Sequence, residues 1–124
     1  MKITRIKCLC LIIMLLFSAI YLNACSVSAK KPELVDATVS VKYTAGLGDY
    51  VTVTGTLKNN SKKNYSYCSI TFNIYDKNGT KIGQCLDNTN YLGSGETWQF
   101  KAQSFEWFNS GGTYTAKCVD ITAF

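Results

Sequence analysis

From residue 35 onward, apolar and polar side chains alternate. Val35, Ala37, Val39, Val41 and Tyr43 fall on one side of the chain, and Asp36, Thr38, Ser40 and Lys42 on the other. A period of two is the mark of a strand with one buried face. Gly46-Leu47-Gly48-Asp49 interrupts it. The next strand sets Val51, Val53, Gly55 and Leu57 against Thr52, Thr54 and Thr56, and a polar turn follows from Lys58 to Asn64. In the third, Cys68, Ile70, Phe72 and Ile74 alternate with Tyr67, Ser69, Thr71, Asn73 and Tyr75. Asp76-Lys77-Asn78-Gly79 is a hairpin signal. The chain returns from Thr80 to Leu86, with Ile82 and Leu86 expected inward and Cys85 outward. Trp98, Phe100 and Ala102 alternate with Thr97, Gln99 and Lys101. Ser110-Gly111-Gly112 then turns into a last strand, Thr113 to Ile121. No segment after residue 24 has a helical period. The pattern predicts one all-β domain over residues 35–124, an antiparallel immunoglobulin-like β-sandwich of about six to seven strands.

The start of the chain is of another kind. Lys2, Arg5 and Lys7 precede a mostly apolar run from Leu9 to Leu22. That is the layout of a secretory signal, and it falls short of the roughly 20 apolar residues that a membrane span needs. Leu22-Asn23-Ala24-Cys25 resembles the lipobox of bacterial lipoproteins. The resemblance implies that residues 1–24 are a lipoprotein signal peptide, cut between Ala24 and Cys25. Cys25 would carry diacylglycerol through a thioether, with acyl chains of the palmitate kind. Each buried CH₂ contributes about 0.8 kcal/mol, so the lipid alone anchors the protein to the extracytoplasmic face of the cell membrane. Residues 25–34 are then the lipidated cysteine and a short tether. Ser26 to Pro32 is small, polar and basic, with Lys30 and Lys31 close to the headgroups. Cys8 and Cys10 would leave with the signal.

Composition narrows the chemistry. The chain has 124 residues and no histidine, so the commonest general base and the commonest zinc ligand are missing. Three of the thirteen basic residues lie in the signal, leaving ten against eight acidic ones, about +2. The basic residues do not cluster, so nucleic acid is not an expected partner. The carboxylates of Asp36, Asp49, Asp76, Asp87, Glu96, Glu106 and Asp120 are scattered among turns and polar faces. They read as solvated charges rather than as a glycosidase pair. No metal site, cofactor or catalytic residue is expected, and the chain does not read as an enzyme.

Phe72-Asn73-Ile74-Tyr75-Asp76 fits the pattern F-x-[L/I]-Y-D. Val53-Thr54-Gly55-Thr56-Leu57-Lys58-Asn59-Asn60 lies upstream; Gly79, then Gly95-Glu96 with Trp98 and Phe100, lie downstream. Together these resemble the FxLYD family, small immunoglobulin-like sandwiches of bacterial surface lipoproteins, over residues 36–124. The resemblance implies a fold and a cell-envelope location, and no enzymatic activity. Within the motif, Phe72 and Ile74 are expected in the core, and Asp76 is expected to accept hydrogen bonds from the turn amides.

Cys68, Cys85 and Cys118 remain after lipidation, in a compartment that permits disulfides. If the last strand lies beside the third, Cys68 and Cys118 meet, and that is the expected bridge. Cys68–Cys85, Cys85–Cys118 and no bridge are the alternatives. Phe105, Trp107 and Phe108 follow the fifth strand in a loop-like stretch. They either lid one end of the core or form an exposed binding loop. The expected function is that of a membrane-anchored protein-interaction module acting on an envelope protein; the alternative is a carbohydrate or cell-wall binding module.

Overall fold

The computed structural model describes residues 30–109 and 111–124. The signal peptide, the cleavage site and Cys25 lie outside the described residues. Among the described residues there are six strands: β1 (Glu33–Thr44), β2 (Gly48–Lys58), β3 (Cys68–Tyr75), β4 (Lys81–Thr89), β5 (Thr97–Ser104) and β6 (Thr115–Ala123). All pair antiparallel in one sheet of order β1-β2-β5-β4-β3-β6. The all-β expectation holds.

The sheet curls into a half-barrel. Its halves are β1-β2-β5 and β4-β3-β6, and the only pairing between them is Cys85↔Ser104 and Leu86↔Gln103. This is the strand order of an immunoglobulin-like sandwich that lacks a strand outside β6. Between the halves lie Val51, Val53 and Leu57 of β2, Cys68, Ile70, Phe72 and Ile74 of β3, and Phe100 and Ala102 of β5, all 2% exposed or less. The rings of Phe72 and Phe100 meet at 5.6 Å across this space. Burying Phe72 alone contributes roughly 3 kcal/mol. As expected, Asp76 Oδ1 accepts hydrogen bonds from the amides of Asn78 (2.9 Å) and Thr80 (3.0 Å).

Three bulges correct the simple alternation. In β1 the register slips between Leu34 and Asp36. Leu34 packs against the core while Val35 is 61% exposed. In β4 the register slips opposite Ile74/Tyr75, so Gly83 faces Ile74 and Cys85 faces Phe72. Cys85 is therefore inward and fully buried, the reverse of the expected outward position. In β6 the slip opposite Thr71/Phe72 expels Val119, 46% exposed, and brings both Cys118 and Ile121 to the inner side.

The Cys68–Cys118 bridge is not formed. β6 does lie beside β3, but Cys68 pairs with Ala123, and Cys118 pairs with Phe72. The four register steps from Cys68 to Phe72 put the two thiols about 13 Å apart along the strand, at roughly 3.3 Å per residue. A disulfide needs Cα atoms within about 7 Å. Cys85 and Cys118 flank Phe72 from opposite neighbouring strands, about 10 Å apart. All three cysteines are free thiols.

Candidate functional site

The antiparallel order gives the domain two unlike ends. The tether enters where β1, β3 and β5 begin. Here Tyr65 Oη donates to the carbonyl of Lys30 (3.1 Å), Pro32 is buried, and Lys30 pairs with Glu33 (2.9 Å). The same end is knotted by Asn59, which is fully buried. Its Nδ2 donates to the carbonyls of Lys63 (2.8 Å), Leu92 (3.2 Å) and Gly93 (3.0 Å), while Oδ1 accepts from the Ser61 amide and hydroxyl. One side chain thus joins the β2–β3 loop to the β4–β5 loop.

At the far end lie the β1–β2 turn, the β3–β4 turn and the β5–β6 loop. The 12 residues of β1 hold this end roughly 40 Å from the tether. Asp49 organises it. It was expected to be a solvated turn residue and is instead 3% exposed. Its backbone exchanges two 2.9 Å hydrogen bonds with Phe108. Its Oδ2 accepts from the Tyr114 hydroxyl (2.8 Å) and the Gly112 amide (3.3 Å). Burial first, and then the Asp49 carboxylate, pushes the Tyr114 phenol up to about 12. Nothing in the alternation marks Asp49; the only signal is its place at the end of a glycine-rich turn.

The loop's aromatics divide. Phe108 is 9% exposed and closes the core, its ring resting over Gly83, where a Cβ would come within 2.8 Å. The lid role falls to this residue. Phe105 and Trp107 stay exposed, at 78% and 43%. They point to different sides: Phe105 lines a hollow with Lys81 and Gln84, whereas Trp107 leans on Tyr50, ring centroids 5.0 Å apart. The three residues therefore do not form one patch.

The second candidate surface is the open side of the half-barrel. Val39 and Val41 of β1 pair with the buried Val53 and Val51, so they share the inner face. Val41 is nevertheless 45% exposed and Tyr43 60%. Across the opening, β6 presents Cys118, Ile121 and Ala123, half-buried, and among the described residues its outer edge pairs with no strand. Burial raises the thiols of Cys68, Cys85 and Cys118 above their ordinary range, that of Cys85 to about 11. The Cys85 thiol donates to the Val51 carbonyl at 3.5 Å. Such thiols are poor nucleophiles.

No protein-family model and no curated protein matches the sequence. Among solved structures, a β-glucuronidase of Bacteroides uniformis is similar, with a TM-score of 0.51 and 16% identity over 70% of this chain. The match covers 12% of the enzyme's length. At that identity the likeness is one of fold, a β-rich domain within a far longer chain. Among the described residues, no helix is long and apolar enough to cross a membrane, and no three potential ligands gather around a metal position.

Proposed function

We propose that this chain is a lipid-anchored envelope protein of the FxLYD kind. Its β domain acts as a non-catalytic interaction module that receives an extended segment of another envelope protein. The observation that carries this reading is the open β1–β6 side. An immunoglobulin-like sandwich ordinarily places another strand beyond the position of β6. Here that edge is unpaired among the described residues, and Val41 and Tyr43 on the other edge strand, β1, are uncovered. An added strand satisfies the free backbone groups of β6, and its alternate apolar side chains cover those two residues. The anchor reading rests on the lipobox resemblance at Leu22–Cys25.

Two measurements test the two parts. Cells fed radiolabelled palmitate should label the wild-type chain and not Cys25→Ser; label on the variant removes the anchor. The full chain, immobilised from detergent and exposed to envelope extract, should retain a protein that Val41→Glu/Tyr43→Glu releases. Equal retention by the variant, at unchanged melting temperature, removes the strand-addition reading. A second reading, glycan binding, is favoured by the exposed Trp107 on the end far from the tether.

A further inference from the structure

The outer face of β1-β2-β5 is a polar sheet surface with an aromatic wall. The strand registers align Ser40, Thr52 and Gln103 in one row and Thr38, Thr54 and Lys101 in the next. Tyr50, paired with Lys42, closes the far end with Trp107 leaning on it. All of these except Thr38 bound a groove of about 410 Å³. Thr52 forms its floor and is 8% exposed although it points away from the core. The groove lies on strands rather than loops, so its polar groups hold fixed spacings.

We infer that this groove binds an acidic oligosaccharide, with Trp107 and Tyr50 packing on a sugar ring and Lys42 and Lys101 meeting its carboxylates. This deepens the glycan reading and rests on it. Three features select that ligand. First, the exposed face of Trp107 offers a flat apolar platform beside hydroxyl and amide groups, which suits a pyranose ring. Second, the groove is cationic. The one ion pair among the described residues joins Lys30 and Glu33, so no carboxylate pairs directly with the Lys42 or Lys101 ammonium. Asp87 lies near, its Oδ2 accepting from the Lys101 backbone amide at 2.7 Å, so it offsets part of the charge at that end and leaves Lys42 as the stronger cation. Third, the two lysines stand two strands and four register steps apart. That diagonal is roughly 16 Å, the reach of a short oligosaccharide and not of a single sugar. A lipid headgroup fits poorly, because Lys42, Tyr50 and Trp107 lie toward the end of the domain away from the tether.

The test is calorimetry on the full chain in detergent micelles. The probes are tetragalacturonate, its fully methyl-esterified form and poly(glycerol phosphate). The acid should bind about tenfold more tightly than the ester, and Lys42→Gln/Lys101→Gln should erase that difference, about 1.4 kcal/mol. Trp107→Ala should weaken both sugars about tenfold or more. If both sugars bind equally and depend on Trp107, glycan recognition stands and the acidic-ligand inference falls. If neither binds, both fall. Binding of poly(glycerol phosphate) as tight as the acid and insensitive to Trp107→Ala reduces the groove to a charged patch and also overturns the inference. The lysine variant alters only exposed side-chain ends, so it remains informative if Trp107→Ala fails to fold.

Discussion

Asn59→Ala should be among the costliest polar truncations in the domain. The wild-type amide is fully buried and serves carbonyls of Lys63, Leu92 and Gly93 with its two protons. The backbone of Asn59 is held separately, by Glu96 O at 3.0 Å and Gly95 N at 2.8 Å, so the loops stay close when the side chain is cut back. The Leu92 and Gly93 carbonyls keep their backbone donors, the Tyr65 amide at 3.0 Å and the Glu96 amide at 3.1 Å, but each loses the side-chain hydrogen bond that joins the two loops, and the Ser61 amide and hydroxyl lose their acceptor. Each lost hydrogen bond is worth about 0.5–1.5 kcal/mol net, and this side chain makes several, so the truncation should destabilise by roughly 2–4 kcal/mol. For a domain of this size each kcal/mol lowers the melting temperature by about 4–8 °C. The assay is urea unfolding of the unlipidated mature chain, followed by tryptophan fluorescence. Asn60→Ala is the control: its amide reaches only the exposed Glu33 carboxylate, at 2.7 Å, and its loss should cost under about 0.5 kcal/mol. Asn59→Asp sharpens the logic. At neutral pH its carboxylate faces carbonyl oxygens and cannot donate, so the variant should be at least as unstable as the alanine. As pH falls and the acid is protonated it can donate again, and the gap to wild type should narrow. An Asn59→Ala variant within about 0.5 kcal/mol of wild type would refute the reasoning.

The remaining predictions concern the core and its thiols. Gly55→Ala should destabilise by about 3 kcal/mol in the same urea assay, because a Cβ there falls 2.1 Å from the Asp36 carbonyl oxygen and 2.7 Å from the Phe100 ring. Stability should decline as pH rises from about 9 toward 11. The Cys85 thiol titrates near 9 when unfolded and about 11 when folded, so the folded state holds its proton longer and loses that advantage as pH climbs; Tyr114, raised to about 12, extends the decline. A flat urea midpoint across that range would contradict the burial of Cys85. Thiol titration of the mature chain made without lipid, residues 26–124, should find three free thiols in denaturant without reductant, with Cys85 unreactive in the native state; a mass-mapped internal bridge would contradict the register between β3 and β6.

Much of the fold was legible because β2, β3 and β5 are simple. Val51, Val53 and Leu57, then Ile70, Phe72 and Ile74, then Phe100 and Ala102, all face the core as their alternation requires. What escaped was set by bulges. An extra residue at Val35, Ile82 or Val119 inverts the parity beyond it, and bulges arise from how strands meet rather than from the local pattern. That is why Cys85 turned inward; the thiols of Cys68 and Cys118 are kept apart instead by the register of β6 on β3, which sets Cys68 opposite Ala123. Edge position was equally invisible. Val41 and Tyr43 alternate like core residues, yet no strand of the opposite half covers them. The aromatic loop was legible only as a cluster; contact with Gly83 selects Phe108 as the lid, and contact with Tyr50 holds Trp107 at the surface.

The most direct test of the central claim uses the anchored protein in its own cells. A photo-activated cross-linking residue would replace, one at a time, Val119 on the β6 edge, Leu47 in the far β1–β2 turn and Gln99 on the outer face of β5. All three positions are exposed. Strand addition at the open side predicts a discrete protein adduct from Val119 and none from Leu47 or Gln99. An adduct from Leu47 alone, or none from any position, would contradict it.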